Sequence, residues 1–287
     1  MELEASHTTR YEFSQPVFLE PHVLRFQPRS DGAQTPLEFR LEIDPQPSGT
    51  TTGLDAAGNV TTSAWFEGLH PALTITAHSV TRMLRGNPFD FLVDRSRNLL
   101  PADYGDDLPT LRPYLERERR EHGADPIAHF AARMRDAAHG ELIPLLTCLN
   151  HTLYDRLRVV RREDGPAWPA ERTWTEQRGA CRDLAVLFID VCRALGVAAR
   201  FVSGYEDPGP SSEPCDLHAW AEAYVPGGGW RGYDPSRGLA TTQSHIALAA
   251  AAAPPGAAPI AGTFRGNATA AIDAEIHIER RSPALAL

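Results

Sequence analysis

Between residues 8 and 95 the apolar positions fall in short runs rich in β-branched and aromatic residues. Residues 11–18, 23–26, 36–43, 60–66 and 72–80 are such runs, and turn signals such as Arg29-Ser-Asp-Gly and Asp55-Ala-Ala-Gly-Asn stand between them. Short strands repeated with turn chemistry predict a β-sandwich. Pro101, Asp103-Tyr-Gly-Asp-Asp-Leu-Pro and Pro113 then interrupt any long element, so residues 101–125 read as a linker.

From 126 the period changes. Residues 127–138 and 143–157 carry apolar side chains at helical spacing, and 183–196 is apolar nearly all round and closes on Gly196, which predicts a buried helix. Residues 197–205, 217–225 and 230–233 read as strands. The Ala/Pro run at 249–259 reads as a surface loop. Ile272, Ala274, Ile276 and Ile278 alternate with polar residues as in a half-buried strand. The expected class is α+β, with an N-terminal β-sandwich domain over 1–100, the linker over 101–125 and a second domain over 126–287.

Composition narrows the function classes. The 287 residues carry a formal charge of −9, and all 28 basic side chains are arginine. Phosphate binding needs a basic stripe, and the densest basic run, Arg117-Glu-Arg-Arg-Glu121, nearly cancels itself, so nucleic acid is not an expected partner. That run reads as a solvated helix or linker. The N-terminus lacks the basic start and apolar core of a signal peptide, and the apolar run at 246–253 is too short to span a bilayer. No membrane and a cytoplasmic location are expected. Cys148, Cys181, Cys192 and Cys215 fit reduced thiols there and lack the paired spacing of a structural zinc site, so neither metal nor cofactor is expected.

Cys181 opens the buried helix after Gly179-Ala180. Unpaired N–H groups and partial positive charge at a helix start favour a thiolate and can hold an oxyanion. Taken alone, a free cysteine is usually a small buried hydrophobe. His218 lies on a strand whose small face is Leu217, Ala219, Ala221, Ala223 and Val225; His218, Trp220, Glu222 and Tyr224 share the other. Asp234 follows across the turn Pro226-Gly-Gly-Gly229. If the two strands pair with Trp220 opposite Asp234, the carboxylate is diagonal to His218 and within side-chain reach. A slip of one residue would separate them.

Gly179-Ala-Cys181-Arg-Asp183, Ala198-Ala-Arg-Phe-Val-Ser-Gly-Tyr205, His218-Ala-Trp-Ala-Glu-Ala-Tyr-Val-Pro-Gly227 and Gly229-Trp-Arg-Gly-Tyr-Asp-Pro235 closely resemble the bacterial transglutaminase-like family, whose members are often described as candidate cysteine proteases. Tyr11-Glu-Phe, Pro21-His-Val-Leu-Arg25 and Asn87-Pro88 resemble that family's N-terminal β-domain. The resemblance implies a papain-like core in which Cys181 is nucleophile, His218 base and Asp234 orienter. It implies an oxyanion donor at Tyr154, whose bland alternative is a core aromatic; Trp220, on the His218 face, is a second candidate for the oxyanion site or cleft. It also implies a peptide or protein substrate, cleaved through a thioester by water, and ATP-grasp ligase-like proteins as partners. An amine-accepting transglutaminase and a non-catalytic binding module are the alternatives. The chain departs from the family after His245-Ile246, where an acidic, tyrosine-containing stretch gives way to alanine and proline.

Overall fold

The structure is a computed structural model describing residues 1–93, 95–117, 125–162, 165–207, 209 and 215–281. Most of the charged run at 117–121 and of the Pro/Gly/Ser stretch at 208–212 lies outside these residues. The chain opens with β1 (Glu2–Leu19), β2 (His22–Leu24), β3 (Gln34–Asp44), β4 (Gly49–Leu54), β5 (Val60–Trp65) and β6 (His70–Met83). The helical part holds a single turn, α1 (Leu108–Leu111), then α2 (Pro126–Ala137) and α3 (Leu142–Arg156). Next come β7 (Arg158–Val159), α4 (Ala170–Glu176), β8 (Arg178–Gly179) and α5 (Cys181–Ala194). A further sheet follows with β9 (Ala199–Glu206), β10 (His218–Val225), β11 (Gly229–Asp234), β12 (Leu239–Ala240) and β13 (His245–Ala251). The chain ends in β14 (Ile260–Ala261), β15 (Phe264–Arg265) and β16 (Ala270–Arg281).

Two sheets, β15-β1-β6-β3 with β16 on β1, and β14-β2-β5-β4, enclose Val17, Leu24, Phe26, Ala64, Phe66 and Ile75. This is the expected β-sandwich, but the chain builds it from both ends. Twelve residues of β16 pair with β1, and β14 and β15 pair with β2 and β1. The expected boundary at 126–287 is therefore corrected: the last strands belong to the N-terminal domain. Hydrophobic alternation predicts such a strand without naming its partner, which is a long-range choice.

The third sheet has the order β12-β11-β10-β9-β13. Helix α5 covers one face, packing Leu184, Leu187, Phe188 and Val191 with α2 and α3 residues into the largest core. The other face meets the sandwich, where Tyr205, Ile246 and Leu248 pack on Leu3, Ala5, Met83 and Ile276. The alanine-rich 249–259 segment also departs from expectation. Its start is the buried end of β13, and Ala257 is fully buried. Small side chains let two carboxamides of the sandwich reach the strand's outer edge. Gln34 bonds to Ala247 through both its Nε2 and Oε1 at 2.8 Å, and Asn59 bonds Ala250 likewise at 2.9 and 2.8 Å. They stand in for the missing neighbour strand and satisfy backbone groups that burial would otherwise orphan. The linker is docked as well: Tyr104 and Leu111 are buried, and the Ala198 N–H donates to Tyr104 Oη at 2.7 Å.

Candidate active site

Helix α5 starts where the sequence places it, with Cys181 as its first residue. The end is fastened by Asp183, whose side chain is fully buried. It accepts from the Ala180 N–H at 2.8 Å, from the Trp168 N–H at 2.7 Å and from Arg162 Nη1 at 2.5 Å. Arg162 and Arg172 flank the Trp168 ring, 4.3 and 3.9 Å from its centroid. One carboxylate thus ties the 165–169 loop to the start of the helix that carries the thiol. Gly179 has no room for a side chain there, since a Cβ would lie 2.8 Å from that of Asp183.

Strands β10 and β11 pair with Ala221 opposite Tyr233, and one further step of that register sets Trp220 against Asp234. His218 and Asp234 consequently share a face, and His218 Nε2 lies 2.6 Å from Asp234 Oδ2. His218 is 9% exposed and Asp234 is 0% exposed. Burial opposes the imidazolium, but hydrogen bonds and charge from Asp234 and Cys181 outweigh it and push His218 up to about 10. Burial likewise opposes the Asp234 carboxylate, and the bonds from His218 and His245 overcome it, holding the acid far below the usual carboxylate range. Since Nε2 of His218 is committed to Asp234, Nδ1 is the ring nitrogen left to deal with the Cys181 thiol.

Two groups here were not singled out as site residues in the sequence. His245, at the start of β13, places its Nε2 3.2 Å from the same Asp234 Oδ2, with Ser244 Oγ 3.0 Å from its Nδ1. Its only local signal is a polar ring at the head of an apolar run. Glu206 Oε2 lies 3.7 Å from His218 Nε2 and pairs with Arg237 at 2.9 Å. The other oxygen of Asp234 accepts from the Ser236 N–H at 2.9 Å and Oγ at 2.6 Å.

Cys181 and His218 line a cleft of about 1560 Å³ whose walls include Trp168, Arg182, Glu206 and Ala257. Ile272, Asp273 and Ala274 of β16 line it too, so the sandwich domain supplies part of the wall. Tyr154 and Trp220 do not. Tyr154 is 49% exposed, and its ring lies where a Cβ on Gly238 would meet it at 2.7 Å. Trp220 is 1% exposed, stacks 6.2 Å from the His218 ring and packs with Val202, Ala247 and Ala250. It backs the imidazole from behind. Of the other cysteines, Cys192 is buried and its thiol is pushed up by desolvation. Cys148 is half-buried, and Cys215 lies along the cleft, raised by burial and then by Asp207 and Asp216.

His218, Asp234 and His245 bring three donor atoms within 4.8 Å of one another. Ligands of a tetrahedral ion at about 2.0–2.1 Å stand roughly 3.3 Å apart. The 2.6 Å contact between His218 and Asp234 is tighter than that, and both atoms are already spent on each other. The cluster fits a hydrogen-bonded unit better than an ion.

Residues 3–82 match the family described as bacterial transglutaminase-like N-terminal region, and residues 129–235, which hold Cys181, His218 and Asp234, match the transglutaminase-like superfamily. The chain belongs to the transglutaminase-like superfamily. An uncharacterized protein of Mycobacterium leprae is 25% identical over 287 residues, covering 96% of this chain and 97% of its own length. One from Mycobacterium tuberculosis is 25% identical over 255 residues, covering 85% and 81%. A Cytophaga hutchinsonii structure described as a candidate cysteine protease superposes with a TM-score of 0.70 at 19% identity, over 99% of this chain and 92% of that one. The transglutaminase-like core and its sheet-rich N-terminal region thus recur together. No helix among the described residues is long and apolar enough to cross a membrane.

Proposed function

We propose that this transglutaminase-like chain is a thiol-dependent acyl-transfer enzyme acting on a peptide or amide bond, with water as the usual acceptor. The observation that carries the reading is the 2.6 Å bond between His218 Nε2 and Asp234, which leaves Nδ1 for the thiol at the first turn of α5. In the proposed cycle His218 Nδ1 takes the Cys181 proton and the sulfur attacks the carbonyl carbon. The Cys181 N–H at the helix start stabilises the oxyanion. His218 then returns the proton to the leaving amine as the C–N bond breaks, leaving a thioester. Water, deprotonated by the same imidazole, releases the acid and restores the thiol. Asp234 stabilises the imidazolium throughout.

Hydrolysis is favoured because water needs no second site, and the cleft is large enough for several residues of an extended peptide. All four cysteines are free, which fits activity in a reducing compartment such as the cytoplasm. The test is mass spectrometry of a peptide library incubated with wild type and Cys181→Ala, with and without an added primary amine. New carboxyl ends or deamidated glutamines with wild type alone are expected. Amine adducts in place of hydrolysis would make the protein a transamidase. Products that persist with Cys181→Ala, or none with wild type, would overturn the reading.

A further inference from the structure

We propose that His245 is a positioning residue for the base: it shares Asp234 Oδ2 with His218 and sets how strongly that carboxylate holds the His218 proton. The inference rests on the acyl-transfer reading and concerns the tuning of the same site. A carboxylate offers about four acceptor positions on two oxygens. Asp234 spends two on Ser236, through Oδ1, and two on the imidazoles, through Oδ2. With its side chain 0% exposed, no solvent can take up a vacated position easily.

The tautomers follow from the partners. Ser244 Oγ can donate to His245 Nδ1 at 3.0 Å, which leaves the His245 proton on Nε2, aimed at Asp234. The two rings therefore face one oxygen, with centroids 5.9 Å apart. A second donor on the same oxygen draws charge away from the first bond, and the positive end of the His245 N–H dipole points towards the imidazolium. Both effects make the His218 proton easier to release. That suits a group which must take a proton from the thiol and hand it on, since a base that holds its proton too firmly is a poor acid.

The other groups facing His218 are Glu206 of β9, Cys181 of α5, Trp220 of β10 and, through Glu206, Arg237 after β11. None of these competes for Oδ2. His245 itself is fixed by the backbone: it pairs with Glu206 across β13 and β9, and its ring meets Trp220 edge-on at 5.2 Å.

The experiment is an NMR titration of the His218 ring in the full chain carrying Cys181→Ala, alone and combined with His245→Phe or His245→Gln. The phenyl removes the donor, and the His218 midpoint is expected to rise by about one pH unit, the scale of one charge-assisted hydrogen bond. The glutamine amide restores a donor and should bring the midpoint most of the way back. A midpoint unchanged or lowered in His245→Phe overturns the proposal. Where His245→Phe does not fold, Ser244→Ala replaces it: freeing the His245 ring should move His218 upward, and no movement overturns the proposal. The titration needs no turnover, so its failure leaves the acyl-transfer reading standing. That reading falls separately, on activity retained by Cys181→Ala.

Discussion

Asp234 is where the site's hydrogen bonds converge, and the reason is local. Its Oδ1 accepts from the N–H and Oγ–H of Ser236, and the backbone N–H can only donate. An asparagine there must turn its oxygen to Ser236 and its NH₂ to His218. That forces the His218 proton onto Nδ1, the nitrogen that receives the thiol proton in the proposed cycle. We expect Asp234→Asn to lower kcat by on the order of 10³–10⁴-fold with the fold intact, and steady-state kinetics will show it. Cys181→Ala should abolish turnover while keeping the melting temperature of wild type. A rate within tenfold of wild type in either variant would contradict these roles. The positions of Cys181 and His218 were legible because each obeys a local rule, a helix start and strand alternation, whereas that of Asp234 hung on a hairpin register that the sequence left open and the strand pairing supplies. His245 reaches Asp234 from a strand three places away in the sheet order, and no local rule encodes that.

Among the elements, α5, β10 and β11 carry Cys181, His218 and Asp234, and β13 brings His245 to them. The start of α5 depends on Asp183, which satisfies two N–H groups and faces Arg162 in a buried pair. Asp183→Ala leaves those donors orphaned, and we expect a loss of about 3 kcal/mol in chemical denaturation, with slower alkylation of Cys181 as the first turn frays. Gly204 faces β13 with no space to spare: a Cβ would lie 2.0 Å from the Ile246 carbonyl oxygen and 2.8 Å from the Trp220 ring. Gly204→Ala should therefore part β13 from β9 and cost activity by moving His245, visible as lost amide protection in β13. Helices α2, α3 and α5 and strands β9, β10 and β11 were legible in the sequence within a few residues, whereas α1 and α4 were not. Nor was β13, because an alanine run carries neither a period nor a β-branched signal, and its strand form comes from pairing with β9 on one edge and from Gln34 and Asn59 on the other.

At the scale of the whole molecule, the two chain ends close one sandwich, and that sandwich buttresses the sheet behind His218. His7 of β1 sits in this interface, 3.0 Å from Tyr205 Oη. Burial pulls its pKa down to about 4 from 6.5. A histidine depressed in the folded state contributes stability that is complete above about pH 6.5 and is lost as pH falls towards 4, on the order of 3 kcal/mol at most. His218 works in the opposite sense. Its raised value contributes stability below pH 6.5 that fades as pH rises towards 10. Denaturation across pH should show a broad neutral optimum, with the acid flank flattened in His7→Gln and the alkaline flank in His218→Ala. A sandwich was legible in the turn-punctuated strands, whereas its closure by β16 was not, since nothing local marks which edge a distant strand joins.

The central claim is that His218 acts directly on the Cys181 thiol. Timed iodoacetamide labelling at pH 7, read by peptide mapping on wild type and His218→Ala, tests it most directly. The account predicts that Cys181 labels well ahead of Cys148, Cys192 and Cys215 in wild type, and that His218→Ala removes that lead. Cys181 labelling no faster than Cys215, or equally fast without His218, would contradict it.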